Sequence, residues 1–260
     1  MTFDPPRVMG ILNLTPDSFY ADSRKQTAEE VKAAVLRMLD EGADIIDVGA
    51  CSTRPGSEPV GEAEEMRRLE EGLEALRSVA PEAVVSVDTF RAGVARRCVE
   101  TFGVQIVNDV YGGDADEAMF PTVAQLGVPY VLTHYEPPKA DLLAEMLQFF
   151  AHRVARLHAL GVCDIILDPG FGFGKTLPEN YLLMRRLSDL RVMDLPILVG
   201  VSRKRMVYQL LETTPQEALN GTTVLHTLAL AGGASILRVH DVRQAVETVK
   251  ITQHVCSNLE

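Results

Sequence analysis

The sequence predicts an α/β fold, a (β/α)₈ TIM barrel formed by a single domain, and three observations support this prediction. Short β-rich runs alternate with longer amphipathic stretches, which is the pattern of βαβ units. There are eight such runs, the number of strands in this barrel. The length of 260 residues is close to the roughly 250 that one barrel requires. We therefore expect one domain spanning residues 1–260.

The eight runs follow one another in the order VMGIL, DIIDV, AVVSV, VQIVN, VPYVL, DIILD, PILVG and SILRV. Most are continuously apolar, as strands are when both faces of a parallel sheet are buried. Amphipathic stretches such as TAEEVKAAVLRMLDEG and ENYLLMRRLSDLRV lie between them. A doubly wound open sheet has the same alternation. Units of even length, with polar residues after every strand instead of at one switch point, favour the closed ring.

Composition and charge argue against several classes of function. Lys and Arg total 25 against 36 Asp and Glu, a net charge of −11, so nucleic acid is not an expected partner. No stretch approaches the length of a membrane-spanning helix, and the first residues do not resemble a secretion signal. The four cysteines, at positions 51, 98, 163 and 256, form no CxxC pair. Neither a zinc site nor a disulfide framework is indicated, and we expect a cytoplasmic protein.

Polar residues follow every apolar run. The clusters begin, in strand order, at Asn13, Gly49, Asp88, Asn108, Thr133, Asp168, Ser202 and Arg238. A single Asp or Asn after a strand commonly caps a helix or shapes a turn. Carboxylates, amides and cations gathered at the carboxyl ends of all the strands are instead typical of a barrel enzyme's active site. The sequence therefore predicts an active site at this rim.

The loop GFGFGKT at residues 170–176, after the sixth run, is rich in glycine but matches no nucleotide-binding motif. A P-loop needs glycine at position 169, where Pro169 stands, and the dinucleotide fingerprint needs glycine at position 175, where Lys175 stands. We interpret the glycines as allowing backbone to approach a flat ligand, with Phe173 available to pack against its ring.

The runs MGILNLTPDSF, STRPGS, SVDTF, VNDVYGG, LDPGFGFGKT, GVSRK and RVHD occur in this order, between residues 8 and 243, and resemble the dihydropteroate synthase family. The resemblance implies a transferase that joins 6-hydroxymethyl-7,8-dihydropterin diphosphate to 4-aminobenzoate and releases pyrophosphate. It also implies Mg²⁺ as cofactor, inhibition by sulfonamides, which resemble aminobenzoate, and a homodimer. In that family the dimer forms through helices near the carboxyl end of the chain, and residues 215–232 are apolar enough to form such an interface here.

The resemblance assigns pterin recognition to the ends of several strands. A pterin has an edge of N–H donors beside a carbonyl, so its pocket needs a carboxylate, an amide and a cation. Asp168 is expected to accept from the donor edge, while Asn108 and Asp88 bind other ring nitrogens and Lys204 reaches the carbonyl. The other pocket residues implied are Val110, Phe173, Gly200 and Arg238.

The resemblance also assigns the rest of the site. The diphosphate is expected to bind Asn13, Arg54, Arg238 and His240, with Asn13 as the protein ligand of Mg²⁺. The aminobenzoate is expected to bind Phe19, Thr53, Pro55, Ser202 and Lys204. The reaction is dissociative in the family, and the expected catalytic residues are Asp88, Lys204, Arg54 and Asn13. By the same resemblance, Asp88 is expected to stabilise the positive charge that develops on the pterin.

Three segments depart from the usual family pattern: residues 20–23 lack a glycine pair, residues 50–51 replace Gly-Glu, and Thr133 replaces a methionine at the start of a shorter segment, 133–145. Two alternatives therefore stay open, a pterin-dependent methyltransferase domain and a catalytically silent pterin-binding homologue. Retention of Asn13, Arg54, Asp88, Lys204 and Arg238 favours the synthase.

Overall fold

The computed structural model describes residues 3–14, 24–51 and 60–257. In these ranges eight parallel strands form one sheet, in the order β6-β5-β4-β3-β2-β1-β8-β7. The strands are β1 Arg7–Asn13, β2 Ile45–Gly49, β3 Val85–Asp88, β4 Ile106–Asp109, β5 Tyr130–Thr133, β6 Ile165–Asp168, β7 Leu198–Val199 and β8 Ile236–Val239. Each one coincides with a predicted run to within about two residues at either end. The predicted strands are confirmed.

The two edges of the sheet meet, which closes the ring. The backbone N–H of Leu167 on β6 donates to the carbonyl of Pro196 at 2.8 Å, and Leu167 bridges Ile197 in parallel. Ile197 directly precedes β7, which pairs with β8 on its other side. The predicted (β/α)₈ barrel is therefore confirmed, and the open, doubly wound alternative is excluded.

Helices cover the outside of the ring. They are α1 Arg24–Asp40, α2 Glu62–Val79, α3 Ala92–Phe102, α4 Met119–Leu126, α5 Leu142–Ala159, α6 Leu177–Arg185, α7 Arg205–Leu210, α8 Leu219–Ala231 and α9 Val242–Ser257. The amphipathic stretch at residues 179–192 forms two elements, because Arg186 leaves helical geometry and a 3₁₀ helix, Leu187–Met193, follows. None of the helices in the described ranges is long and apolar enough to cross a membrane.

Buried side chains form two apolar regions. One fills the space between strands and helices and includes Leu73, Val87 and Phe150. The other, which we call the interior plug, lies inside the ring and consists of Met9, Ile45, Ile106, Val131, Ile166, Leu198 and Ile236. Because side chains alternate along a strand, residues two and four positions beyond a plug residue also point into the ring, nearer the carboxyl end of the strand. The plug thus determines which side chains face the rim.

Candidate functional site

The inward-pointing residues beyond the interior plug are polar. Two positions after Ile45, Ile106, Ile166 and Ile236 stand Asp47, Asn108, Asp168 and Arg238. Val84, which directly precedes β3, packs against the plug, so alternation points Asp88, four positions later, in the same direction. The structure therefore brings carboxylates, an amide and a cation from five strands to one end of the barrel.

Arg238 crosses the ring to two carboxylates. Its Nε donates to Oδ2 of Asp47 at 2.7 Å, and its Nη2 donates to Oδ2 of Asp88 at 2.6 Å. The same Asp47 oxygen accepts from Nδ2 of Asn108 at 3.2 Å. Side chains from β2, β3, β4 and β8 therefore form one hydrogen-bonded group, in which each member restricts the others.

Asp47 is a site residue that sequence reasoning missed. It is fully buried, and its Oδ1 has no hydrogen-bond partner among the described residues; the same holds for Oγ of Ser86, its neighbour in register on β3. The signal that could have identified it is a lone carboxylate within the otherwise uncharged strand IIDVG, on the same face as Ile45. A carboxylate buried there requires a cationic partner, and Arg238 supplies it.

Asp168 and Lys204 form a second group with the loop after β6. Oδ1 of Asp168, which is almost fully buried, accepts from the backbone N–H of Gly170 at 2.8 Å. Nζ of Lys204 donates to the carbonyl of Phe171 and lies 4.8 Å from the ring centre of Phe173. A carboxylate acceptor, an ammonium donor and an aromatic face therefore lie around the same loop.

The other described candidates surround these two groups. Gly200 and Val110 are buried beyond β7 and β4, respectively. Ser202 is buried, and its Oγ accepts from the backbone N–H of His240 at 3.2 Å, which links the loops after β7 and β8. The side chain of His240 is exposed, and that of Asn13 is half-buried at the end of β1. All five stand at the same end of the barrel.

Four candidates lie outside the described residues: Phe19 in the segment 15–23, and Thr53, Arg54 and Pro55 in the segment 52–59. Their assigned roles stay predictions. The same is true of the effects predicted for the altered segment 20–23.

Burial shifts the ionisation of the central groups. It raises the pKa of Asp88, which Arg238 lowers and Asp47 raises further. Burial also raises the pKa of Asp168, with Lys204 opposing the shift. The pKa of Lys204 is lowered to about 8 by burial, against the attraction of Asp168. Charges act strongly on one another in so weakly polarisable a site, and perturbed groups of this kind are characteristic of functional sites.

The glycine-rich loop approaches protein backbone at two of its glycines. Gly170 and Gly174 have positive φ angles, 68° and 57°. A Cβ on Gly170 would lie 2.0 Å from the carbonyl oxygen of His134, and one on Gly174 would lie 2.7 Å from that of Tyr135. The expectation that the glycines admit a flat ligand is therefore corrected at these two positions. They allow the loop after β6 to pack directly on the loop after β5.

The arrangement suits a flat, polar heterocycle. Asp88 and Asp168 offer carboxylate acceptors, Asn108 offers an amide, and Lys204 offers a donor next to the face of Phe173. A ring with a donor edge, a carbonyl and an aromatic face would be bound by complementary groups on each side.

Comparisons with known proteins agree with this geometry. Residues 9–240 match the family described as pterin binding enzyme. The chain is 39% identical over 267 residues to dihydropteroate synthase of Escherichia coli strain K12, covering 98% of this chain and 93% of that protein. The structure of Xanthomonas albilineans dihydropteroate synthase with 4-aminobenzoic acid has a TM-score of 0.91 and 38% identity, covering 99% of this chain and 95% of that one. Yersinia pestis dihydropteroate synthase with a sulfonamide drug complex has a TM-score of 0.90 and 38% identity, with coverages of 99% and 96%.

Proposed function

The chain belongs to the pterin-binding enzymes, among the dihydropteroate synthases, and we propose how its own residues perform that reaction. The reaction condenses 6-hydroxymethyl-7,8-dihydropterin diphosphate with 4-aminobenzoate to give 7,8-dihydropteroate and pyrophosphate. The observation that carries the assignment is the meeting of Asp88, Asn108, Asp168 and Lys204 at one end of the ring. A methyltransferase is not favoured, because the relatives are synthases over nearly their full length.

The pterin is proposed to lie between the two hydrogen-bonded groups. Asp168 would accept from the 2-amino and ring N–H donors, and Lys204 would donate to the carbonyl and N5 side. Asn108 and Asp88 would bind the remaining ring nitrogens. Phe173 and the buried Gly200 and Val110 would line the pocket. Arg238 would hold Asp88 in place for this contact, because its guanidinium binds the carboxylates of both Asp47 and Asp88.

The reaction replaces a C–O bond by a C–N bond. In the dissociative route, the bond from the pterin methylene carbon to the diphosphate breaks first, and the diphosphate leaves with both bonding electrons. The positive charge spreads into the pterin, where the carboxylate of Asp88 stabilises it. The lone pair of the aromatic amine then forms the C–N bond. The amine nitrogen releases one proton to diphosphate or water, so no protein base is required.

The diphosphate is proposed to bind at the ends of β1 and β8, at Asn13, Arg238 and the exposed His240, with Arg54 of the second loop. Mg²⁺ would be held by the amide oxygen of Asn13, because this cation prefers oxygen ligands and keeps most of its waters. Within the described residues, no group of three or more His, Cys, Asp or Glu side chains could enclose a metal, so substrate and water oxygens would complete the coordination. When bound, Mg²⁺ neutralises charge on the leaving diphosphate.

The aminobenzoate is proposed to bind between Lys204, Ser202 and the first two loops. Because Oγ of Ser202 accepts from a backbone N–H, its hydroxyl proton can be donated to the benzoate carboxylate. Phe19, Thr53 and Pro55 would complete this pocket. The Yersinia pestis relative has been solved with a sulfonamide drug complex, and we propose that sulfonamides bind this chain in the aminobenzoate pocket.

The protein is proposed to act as a cytoplasmic homodimer. The cysteines at positions 51, 98 and 163 carry free thiols, which suits a reducing compartment. Leu210, Leu211, Val224 and Leu228, on and next to α7 and α8, are each about half exposed. An apolar surface of this kind, within and beside the predicted segment 215–232, would be covered by a second copy.

The proposed function is tested by incubating the protein with the pterin diphosphate, 4-aminobenzoate and Mg²⁺ while following pyrophosphate. We expect release that requires both substrates. Asp88→Asn keeps the shape of the side chain but removes its charge, so kcat should fall about 100-fold. The matched control is Asp44→Asn at the opposite end of the barrel, where the carboxylate binds the backbone N–H of Val8. It should retain turnover.

The two parts of this experiment test different statements. If no pyrophosphate is released in the presence of both substrates, the proposed function is wrong. If release occurs but Asp88→Asn turns over as fast as the unsubstituted chain, the function stands and the role of Asp88 is wrong.

A further inference from the structure

A buried lysine joins the end of β5 to the loop after β6, and the reaction described above does not use it. Lys175 is 7% exposed. Its Nζ donates to the carbonyls of His134 at 3.0 Å, Gly170 at 3.0 Å and Phe173 at 3.1 Å. An ammonium group has three protons, so these three carbonyls satisfy its hydrogen-bonding capacity.

The end of β5 is a rigid support for this lysine. The ring of His134 is buried and packs edge-on against Phe149 and Phe150, with ring centres 4.7 Å and 6.2 Å apart. The carbonyl oxygen of His134 also lies where a side chain on Gly170 would be, so the two loops touch through their backbones. The altered end of the fifth strand, to which sequence reasoning gave no role, therefore supports the sixth loop.

The turn held by Lys175 carries three contacts of the proposed pterin pocket. The N–H of Gly170 binds the carboxylate of Asp168. The carbonyl of Phe171 binds Lys204, and the ring of Phe173 lies beside the same ammonium. All three contacts come from residues 170–173, and Lys175 binds the carbonyls of the first and the last of these residues.

We propose that Lys175 is a positioning residue for pterin recognition. Its ammonium fixes the turn at residues 170–173 against His134 at the end of β5 and adds a positive charge beside Gly170, which binds the carboxylate of Asp168. This inference rests on the proposed function, because the pterin is the ligand whose donor edge Asp168 would bind.

The charges around Asp168 define what the lysine contributes. Lys204 faces it from the loop after β7, Arg238 from β8 and Lys175 from its own loop, and all three lower its pKa against the effect of burial. His134 on the β5 side is neutral, because burial lowers its pKa to about 3. Removing Lys175 therefore raises the pKa of Asp168 further. The site then loses its anionic acceptor at a higher pH.

Lys175 itself is charged at neutral pH. Burial lowers its pKa to about 8, while Asp168 raises it, Lys204 lowers it and Glu179 of α6 raises it. The ammonium is therefore kept in its charged form by the carboxylate that it supports and by the carbonyls that accept its protons.

The test compares three changes. Lys175→Met removes the charge, Lys175→Arg keeps it, and Asn180→Ala loosens the same loop without changing any charge. Asn180 is a matched control because its side chain accepts from Gly172 at 2.7 Å and donates to the carbonyl of Lys175 at 3.2 Å. Lys175→Gln, which keeps a donor but no charge, is used if the methionine variant does not fold.

Two quantities are measured: the Kd of 6-hydroxymethylpterin as a function of pH, by calorimetry, and the titration of the Asp168 carboxyl carbon in the ligand-free protein, by NMR. Lys175→Met should weaken pterin binding about 10-fold at neutral pH and move both acid midpoints up by roughly one pH unit. The arginine variant should restore the midpoints. The KM for aminobenzoate should change less than the Kd of the pterin, because the described contacts of this turn bind Asp168 directly and reach the aminobenzoate pocket through Lys204.

Equal midpoints in Lys175→Met and the unsubstituted chain would overturn the proposal, as would equal shifts in Lys175→Met and Asn180→Ala. If the unsubstituted chain binds no pterin, it is the proposed function that fails. The carboxyl titration of Asp168 in the ligand-free protein then still decides whether Lys175 acts on it.

Discussion

Arg238 is shared between two carboxylates, and this sharing limits how far it opposes the effect of burial on the pKa of Asp88. Asp47 is fully buried, and the guanidinium of Arg238 and the amide of Asn108 both contact its carboxylate. The guanidinium lowers the pKa of Asp88, whereas burial and the charge of Asp47 raise it. Asp47 therefore acts on Asp88 twice, as a nearby like charge and as a competitor for the same cation.

At this scale we expect Asp47→Asn to move the acid limb of the kcat/KM profile to lower pH. In the proposed mechanism Asp88 acts as a carboxylate, so activity should be lost as the pH falls through its raised pKa. The neutral amide removes the negative charge near Asp88 and no longer competes with Asp88 for the guanidinium of Arg238. Both changes lower the pKa of Asp88. A pH–rate series should show a shift on the order of one unit.

The control for this prediction is Ser86→Ala, which alters the residue next to Asp47 in register but changes no charge. Its acid limb should coincide with that of the unsubstituted chain. An acid limb that stays in place or rises in Asp47→Asn would show that Asp47 does not govern the ionisation of Asp88.

Single residues show how far the sequence could lead. Asp88, Asn108, Asp168, Lys204 and Arg238 stand in recognisable motifs, and the structure brings them to one rim. Asp47 has no such motif. It can be assigned to the site only when Ile45, on the same face of the strand, is known to point into the ring. The contact between Arg238 and Asp88 joins residues that are 150 positions apart in the sequence, so no local sequence pattern can predict it.

Among the elements, α2 is tied to the loop that carries the proposed cation-stabilising group. Glu65 of α2 is fully buried, accepts from Oγ1 of Thr89 at 2.6 Å and forms an ion pair with Arg91. Thr89 directly follows Asp88, so this contact fixes the start of the loop after β3 against the neighbouring helix.

We expect Glu65→Gln to lower the free energy of unfolding by about 3 kcal/mol, because it leaves Arg91 without its buried counter-charge. Glu64→Gln changes the adjacent residue, whose carboxylate is exposed to solvent although its partner Arg68 is partly buried, and should cost less than about 1 kcal/mol. Urea unfolding of both variants measures the difference. Equal losses of stability would contradict a structural role for the buried pair.

The elements also show where local pattern stops deciding structure. Runs that are mostly apolar predicted all eight described strands, because both faces of these strands are buried. The run PILVG, however, forms a strand of only two residues. On the side of this strand that faces β6, the pairing consists of one bridge, between Ile197 and Leu167. The break at Arg186 likewise depends on how the chain returns to the ring, which helical periodicity does not encode.

For the whole molecule, the apolar surface on α7 and α8 has a consequence for assembly. Val224 and Leu228 lie one turn apart on α8 and are 52% and 50% exposed. Leu228→Glu should convert the proposed dimer into a monomer, because two buried carboxylates would face each other across a twofold axis. Sedimentation velocity measures the outcome.

Leu36→Glu is the control for this prediction. Leu36 lies on α1, on another side of the barrel, and is also 50% exposed. It should leave the sedimentation coefficient unchanged. A Leu228→Glu variant that sediments as the unsubstituted chain does would contradict the proposed interface.

The ring closes between β6 and β7 through one bridge, from Leu167 to Ile197, whereas each other neighbouring pair of described strands shares a ladder of at least two residue pairs. Asp168 follows this junction on one side and Lys204 on the other. A pterin bound by both residues would connect the β6 side of this junction to the β7 side. Substrate binding would then reinforce the closure between β6 and β7, and the enzyme with bound pterin would resist opening at this junction more than the ligand-free enzyme does.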